Sequence, residues 1–462
     1  MWVRVRRAVK QRVRAENPMT NDSVSNEGLV RGIRRWDLVA VTINGIIGAG
    51  IFGLPSKVYG LIGGYSLIAF VACGLVVMLI ILCFAEVGSR FDETGGPYLY
   101  AREAFGGTVA FEVGWLIWLA RLTAFAANCN LMVSYLSFFW APANTGFIRA
   151  AIITIVVLAL TALNILGVRQ ATIANNIFTV GKLLPMLIFI AVGIFFLNPQ
   201  AYTFGPRPSA GAFSQSVLLL LYAFTGFEMA VIPAGEIRDP QKHLPRALFL
   251  AMAVIATTYI LIQIVCIGTL PGLANSTKPL ADAGSKFMGV AGGAIISIGA
   301  IISVAGNLNI TVLSASRIPF AIAEQQQLPN IFARVHRQYF TPYVSILITT
   351  ALMLALTLKS SFVAALTVST IARLVAYAVT CAALPVLRKR RDAPRAHFKL
   401  RGGIVIALAA LLLAGWLVWN STGYEAIATA FAAVVGFVIY VAYRVCGPKN
   451  PSRTKPRSGG RQ

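Results

Sequence analysis

Twelve long apolar stretches, each close to the length that crosses a bilayer, constrain this chain more than any other feature. The chain has 462 residues, of which 57% are hydrophobic and 12% are charged, whereas a soluble domain carries about 25% charged residues. The stretches are too long and too uniformly apolar for barrel strands, so the sequence predicts an all-α integral membrane protein with about twelve transmembrane helices. The predicted spans are residues 37–58, 64–86, 108–139, 147–167, 173–197, 214–235, 246–270, 288–315, 342–358, 361–386, 403–420 and 424–444.

The basic residues fall on alternating connectors, and this predicts the orientation of the chain. With the N-terminus inside, the inner segments contain 31 of the 40 lysines and arginines, and the outer segments contain six. The positive-inside rule then places both termini in the cytoplasm, with the protein in a bacterial-type inner membrane. The same distribution explains the net charge of +24 as a topology signal with affinity for membrane lipid. No basic region is interleaved with aromatic residues, which argues against nucleic-acid binding.

The order of the spans indicates two repeats of opposite orientation. Spans 1 and 6 both contain glycine interruptions and lie five spans apart, an odd number. Interrupted helices at matching positions of inverted halves are the best sequence pointer to the binding site of a secondary transporter. The expected organisation is a basic cytoplasmic tail (1–35), a first repeat (36–199), a second repeat (213–390), two further helices (402–445) and a second basic cytoplasmic tail (446–462).

Span 1 contains four glycines between Gly45 and Gly53, and each costs a helix interior about 1 kcal/mol relative to alanine. Such a run also suits close helix packing through small residues. The matching sequence at residues 223–228 of span 6, near Pro233, favours an unwound segment instead. A broken helix presents N–H groups with positive charge at one end and free carbonyls at the other, and a zwitterionic amino acid needs both.

The predicted substrate site therefore lies at these two breaks. We expect the amides of residues 48–50 to bind the carboxylate of an amino acid, and the carbonyls near residues 46–47 and 223–225 to bind its ammonium group. Phe224 and Phe227, with small residues of spans 3, 8 and 10, would contact the side chain. The predicted substrate-binding residues are Ile47, Gly48, Ala49, Gly50, Ala223, Phe224, Thr225, Gly226 and Phe227.

Three charged residues within the spans, Lys182, Glu228 and Arg121, are candidates for coupling or gating. A lysine in an apolar span costs about 2.5–3.5 kcal/mol on insertion scales, so Lys182 needs a partner unless it snorkels to the interface. It could also release and rebind a proton. Glu228 is either a helix-start carboxylate or a gating acid. Arg121 would pair with Glu228 or line the pocket, where it would repel polyamines. Three intramembrane amides could contact ligand or neighbouring helices: Asn128, Asn307 and Asn309.

Charged residues at the inner ends of spans 2, 6 and 8 are candidates for inner-gate contacts, with solvated loop charges as the alternative. These are the pairs Glu86 with Arg90 and Glu236 with Arg238, together with Arg317.

Four motifs in order, at residues 47–52, 85–106, 226–247 and 315–329, carry a family resemblance. The sequence resembles the amino acid–polyamine–organocation (APC) superfamily, close to its bacterial amino acid permeases. The resemblance implies a LeuT-type fold of five plus five inverted helices, followed by two more, with substrate bound between helices 1, 3, 6, 8 and 10. Lys182 resembles the lysine that sodium-independent relatives place where sodium-coupled members bind a cation, against span-1 carbonyls near residues 44–45. This favours proton coupling or exchange.

The expected function is therefore secondary active transport of amino acids by alternating access, independent of sodium. A polyamine or organocation permease and a non-transporting amino acid sensor on the same fold remain alternatives. An enzyme is not expected, because the spans lack histidines and paired carboxylates. No cofactor or metal site is expected, since the six cysteines form no CxxC pair. The resemblance implies that relatives with a disulfide-linked subunit use a cysteine in the outer loop after span 3, and residues 140–148 here contain none. No such subunit is therefore expected, and the oligomeric state is left open.

Overall fold

The computed structural model describes residues 31–360, 362–420 and 423–446, where the regular structure is helical apart from one isolated β-bridge. Each of the twelve predicted spans coincides with one helix or with two consecutive helices. The two predicted tails lie outside the described residues, except for residues 31–35 and Cys446. The α-helices are α1 (Arg35–Ile46), α2 (Ala49–Ile62), α3 (Ser66–Gly88), α4 (Pro97–Phe105), α5 (Gly107–Leu136), α6 (Gly146–Leu166), α7 (Val168–Gly193), α8 (Ala210–Phe224), α9 (Glu228–Val231), α10 (Pro240–Thr269), α11 (Pro279–Glu324), α12 (Tyr343–Lys359), α13 (Phe362–Lys389), α14 (Gly403–Trp419) and α15 (Gly423–Cys446).

The helices have the length and surface of a membrane protein. Seven helical segments within the described residues are long and apolar enough to cross a bilayer, and four further apolar helices have 10–17 residues. Large apolar side chains on the outer faces are strongly exposed, for example Phe195, Leu412 and Trp419. Contiguous apolar surface of this kind is unfavourable in water and favourable in lipid.

The centre of the bundle is built around α5, a helix of 30 residues that is buried along most of its length. It packs against both α11 and α13, and α11 also packs against α7. The short α9 contacts α1, while α8 packs against α2. The two interrupted segments, α1–α2 and α8–α9, therefore meet each other beside the central helix.

Paired backbone and a buried ion pair hold one end of the bundle together. Ile33 forms a parallel β-bridge with Ile237. The N–H of Ile33 donates to the carbonyl of Glu236 at 3.0 Å, and the N–H of Arg238 donates to the carbonyl of Ile33 at 2.9 Å. Nε of Arg317 donates to the carboxylate of Glu236 at 2.8 Å, and both side chains are fully buried. The segment before α1 is thus joined to the connector that follows α9.

The pairing at this end differs in part from the sequence expectation. Glu236 was expected beside Arg238 but pairs with Arg317, because Nε of Arg238 donates to the carbonyl of Arg31. Glu86 lies 3.6 Å from Arg90, as expected. It also accepts two hydrogen bonds from Arg388, at 2.7 Å from Nε and 2.5 Å from Nη2, which sequence spacing did not indicate.

Arg317→Ala is expected to destabilise the protein by about 3–5 kcal/mol, because it leaves the Glu236 carboxylate buried without its partner. Thermal unfolding in detergent measures the loss. The double variant Arg317→Met/Glu236→Met removes both charges and should lose much less. Arg390→Ala, which breaks an exposed pair with Asp392, is the control and should unfold like wild type. Equal loss in the single and double variants would contradict the assignment.

Candidate functional site

The first helix interruption separates α1 from α2. Ile47 leaves the helical region with φ −73° and ψ 94°, and Gly48 has φ −124° and ψ −144° before α2 begins at Ala49. A Cβ atom at Gly48 would lie 2.7 Å from Oδ1 of Asn128 and 3.0 Å from Cγ of Asn307. The absence of a side chain at Gly48 therefore lets two amide side chains approach the broken backbone.

The second interruption separates α8 from α9. Thr225 is extended, with φ −87° and ψ 161°, and Gly226 has φ 124°. Residues with a Cβ atom rarely adopt that φ. A Cβ atom at Gly226 would also lie 2.2 Å from the carbonyl oxygen of Gly45. The two breaks are thus in direct backbone contact, and glycine is required at the contact.

The nine residues predicted to bind substrate all lie at or next to the two breaks, and all nine are buried. Gly50 lies so close to α8 that a Cβ atom there would be 2.6 Å from Cα of Ala223. The three glycines are buried, and none of the six other members is more than 2% exposed. The set consists of Ile47, Gly48, Ala49, Gly50, Ala223, Phe224, Thr225, Gly226 and Phe227.

Polar side chains from other helices bind the carbonyl oxygens at the end of α1. Nδ2 of Asn307 donates to the carbonyls of residues 44–45, at 3.0 and 2.7 Å. The hydroxyl of Tyr259 lies 3.5 Å from the carbonyl of Ile46 and 3.2 Å from that of Ala223. Tyr259 therefore contacts one backbone carbonyl at each of the two breaks. Sequence reasoning missed Tyr259, because a tyrosine in an apolar helix has no distinguishing pattern.

The N-terminus of α2 is occupied by an amide side chain. The N–H of Ala49 donates to Oδ1 of Asn128 at 2.7 Å, and Nδ2 of Asn128 donates to the hydroxyl of Tyr222 at 3.2 Å. Asn128 thus places an oxygen atom at the helix end that was predicted to bind a carboxylate. Of the other two intramembrane amides, Asn307 contacts the break and Asn309 accepts a hydrogen bond from Asn164, a neighbour on another helix.

Lys182 projects from α7 to the end of α1 and is fully buried. Its Nζ donates to the carbonyl of Ile47 at 2.6 Å and lies 3.3 Å from the carbonyl of Asn44. These are span-1 carbonyls, the kind of partner that the sequence analysis expected. The ammonium group therefore joins α7 to the C-terminal end of α1, where the helix dipole is negative.

A buried ionic cluster lies beside the second break. Glu228 forms an ion pair with Arg121 of α5, and its Oε1 lies 3.4 Å from Nε of Arg373 of α13. Its Oε2 accepts the N–H of Gly226 at 2.9 Å. Nη1 of Arg373 donates to Oγ1 of Thr225 at 2.6 Å. The sequence analysis assigned no role to Arg373, although an intramembrane arginine is itself a signal of function.

The two phenylalanines predicted to contact the substrate side chain pack into separate aromatic clusters. Phe224 makes an edge contact with Tyr259, with ring centroids 5.1 Å apart. Phe227 lies 5.0 Å from Phe84 and 5.1 Å from Tyr377, again between ring centroids. These contacts hold the residues on either side of the break in fixed positions.

No cluster of three or more His, Cys, Asp or Glu side chains suited to a metal ion occurs among the described residues. His336 and His397 lie in connectors between helices, and His243 lies in the first turn of α10. The arrangement presents helix ends, amides and charges, which suit reversible binding of a small polar molecule.

Comparison with known proteins places these features in a family. The amino acid permease family matches residues 33–455. The chain is 28% identical over 444 residues to the methylthioribose transporter of Bacillus subtilis, covering 90% of this chain and 94% of the relative. It is 29% identical to the serine/threonine exchanger SteT of the same organism, covering 79% and 85% of the two chains. It is 28% identical to the branched-chain amino acid permease BcaP, also of Bacillus subtilis, covering 90% and 94%. These relatives are membrane transporters and not enzymes. The chain belongs to the amino acid permease family.

Proposed function

We propose that the protein is a secondary active transporter that carries amino acids across the inner membrane by alternating access. The observation that carries this proposal is the backbone contact between the two helix breaks at Gly45 and Gly226. Because of this contact, the buried N-terminus of α2 and the buried carbonyls at the ends of α1 and α8 lie near one another, which supports a shared site. The names of SteT and BcaP support amino acids as the substrate class.

In the proposed complex, the carboxylate of the amino acid takes the place of Oδ1 of Asn128 at the Ala49 amide. The amides at Gly48 and Gly50 complete the site for the anion. The ammonium group binds the carbonyls of Ile46 and Ala223. These carbonyls can accept it beside the Tyr259 hydroxyl, because each oxygen has two lone pairs.

The proposed layout is twelve transmembrane spans, with two inverted repeats of five and two further helices. Both termini lie in the cytoplasm. The excess of basic residues on the inner segments supports this orientation. The basic segments at the same side would contact anionic lipid headgroups.

Lys182 supplies the proposed basis of coupling. Its ammonium lies against the carbonyls of Asn44 and Ile47, where a bound sodium ion would otherwise provide a positive charge. We therefore infer sodium-independent transport, by proton coupling or by exchange. Glu228 and Arg121 form the gating pair of the proposal, because their contact joins α9 to the central helix.

We also propose that the chain transports without a disulfide-linked subunit. Residues 140–148 contain no cysteine. Cys73, Cys83, Cys129, Cys266 and Cys381 are buried as free thiols. A disulfide-linked partner isolated under non-reducing conditions would contradict this.

Uptake into proteoliposomes tests the function. The purified protein is reconstituted and supplied with a panel of labelled amino acids, with putrescine and methylthioribose, and empty liposomes are the control. The expected result is saturable uptake of one or more amino acids in sodium-free buffer. If only putrescine or only methylthioribose were taken up, the proposal that the substrate is an amino acid would be wrong. Amino acid binding without any uptake would identify a sensor.

Gly48→Leu is expected to reduce the affinity for the transported amino acid by at least about tenfold, because the side chain would occupy the carboxylate site and displace Asn128. Calorimetry or a scintillation proximity assay on the purified protein measures this. Gly415→Leu, at an exposed glycine with open space around it, is the matched control and should bind like wild type. Unchanged affinity in Gly48→Leu would remove the first break from the binding site.

A further inference from the structure

The ionic cluster beside the second break carries one more positive charge than negative charge. It consists of Arg121, Arg373 and Glu228, whose side chains are at most 3% exposed. Within the part of the chain that the structure describes, Glu228 is the carboxylate that pairs with either arginine. An unbalanced charge in a buried site is costly unless an opposite charge joins it.

The hydrogen-bond donors of the cluster also exceed its acceptors. Both arginines share Oε1 of Glu228, and Oε2 of the same carboxylate already accepts the N–H of Gly226. Nε and Nη1 of Arg121 are buried without a hydrogen-bond partner among the described residues. A fully buried guanidinium with unused donors indicates a missing acceptor, and the charge balance indicates that this acceptor is an anion.

The cluster is part of the proposed substrate site. Arg373 donates to the side chain of Thr225, and its guanidinium lies over the ring of Tyr222, 5.9 Å from the centroid. Tyr222 in turn binds Asn128, which contacts the amide of Ala49 at the first break. A molecule bound between the breaks would therefore lie within reach of the arginines.

Lys182, the other buried basic residue near the breaks, already has hydrogen-bond acceptors. The ammonium group of Lys182 donates to the carbonyls of Ile47 and Asn44. It lies on α7, whereas the cluster joins α5, α9 and α13. Tyr222 and Tyr377 are the neighbouring titratable groups of α8 and α13, and neither carries a negative charge at neutral pH.

We propose that the substrate is an acidic amino acid, whose side-chain carboxylate binds Arg121 and Arg373. This inference rests on the proposed function. The two helix breaks bind the carboxylate and ammonium groups common to all amino acids, and the second carboxylate balances the extra positive charge of the cluster. The occluded complex is then neutral at this site, which favours its passage through the low-dielectric interior. Cationic amino acids and polyamines are repelled.

Competition between isosteric ligands tests the proposal. Glutamate and aspartate are compared with glutamine and asparagine as competitors for the labelled substrate in the purified wild-type protein. We expect the acids to bind at least about tenfold more tightly than the amides, as for a charge-assisted hydrogen bond in a buried site. Arg373→Gln should abolish this preference. Arg373→Lys and the exposed control Arg390→Gln should retain it.

A double variant separates charge from damage to the fold. Arg121→Gln/Glu228→Gln removes the ion pair but keeps the net charge of +1 on Arg373, so it should still prefer the acids. Retention of the preference in Arg373→Gln would overturn the inference, as would wild-type protein that transports neutral amino acids equally well. If the wild type transports neutral amino acids equally well, the proposed function as an amino acid carrier still holds, and only the inferred preference for acidic substrates is wrong. Failure to bind or transport any amino acid would overturn the proposed function itself.

Discussion

Replacing Gly226 with alanine is expected to abolish transport and to lower the stability of the purified protein. The new Cβ atom would lie 2.2 Å from the carbonyl oxygen of Gly45 and 2.8 Å from its carbonyl carbon. Both are backbone atoms, so no side-chain rotation relieves the overlap. The residue also has φ 124°, which adds backbone strain. Together these effects should cost about 2–5 kcal/mol.

The same variant also tests function. The overlap of the new Cβ atom with Gly45 can be relieved only if the two breaks move apart. Moving Gly226 away from Gly45 would also move Thr225 and the amide that binds Glu228. Proteoliposome uptake and thermal unfolding are measured in parallel. Gly415→Ala is the control, because a Cβ atom at Gly415 on α14 meets nothing within 4 Å. Wild-type uptake in Gly226→Ala would show that the contact between the breaks is dispensable.

Lys182→Ala is expected to reduce transport by at least roughly tenfold while changing substrate affinity much less, a size typical of coupling between sites. The ammonium group bonds α7 to the end of α1, and its loss leaves the carbonyls of Asn44 and Ile47 without a cation. The binding residues of the second break, 223–227, form no hydrogen bond with Lys182, so the substrate should still bind. Uptake into proteoliposomes and equilibrium binding separate the two effects.

Sodium replacement completes the test of Lys182. Uptake by the wild type should be the same when sodium is replaced by potassium or choline. Lys57→Ala, which removes an exposed lysine from α2, is the matched control and should transport normally. Strict sodium dependence of the wild type would refute the role of Lys182 as the substitute for a cation. Normal transport by Lys182→Ala would leave the lysine with a purely structural role.

The helices and the two breaks could be predicted because local sequence determines them. Apolar runs of bilayer length must form helices in lipid, and the observed helices coincide with those runs. The glycines between Gly45 and Gly53 weaken α1–α2 where it is interrupted, and Gly226 marks the interruption before α9. An intramembrane lysine needs a partner, so Lys182 could be expected near backbone carbonyls.

The partners of the polar side chains could not be predicted, because contacts between distant helices leave no local pattern. Oδ1 of Asn128 accepts a hydrogen bond from the N–H of Ala49, which lies 79 positions away in the chain. Arg373 lies 148 positions from Thr225, to which it donates. Glu236 was paired with its sequence neighbour Arg238, but the fold brings Arg317 to it instead. Such pairs depend on how the helices pack, and they determine the charge of the site.

Counterflow tests most directly the claim that one site between the two breaks is exposed alternately to each side. Proteoliposomes are loaded with unlabelled amino acid, and entry of a trace of labelled amino acid is followed without an ion gradient. Transient accumulation of label that requires the internal amino acid is expected in wild type and Gly415→Ala but not in Gly226→Ala. Label entry that is independent of internal amino acid, or normal counterflow in Gly226→Ala, would contradict the claim.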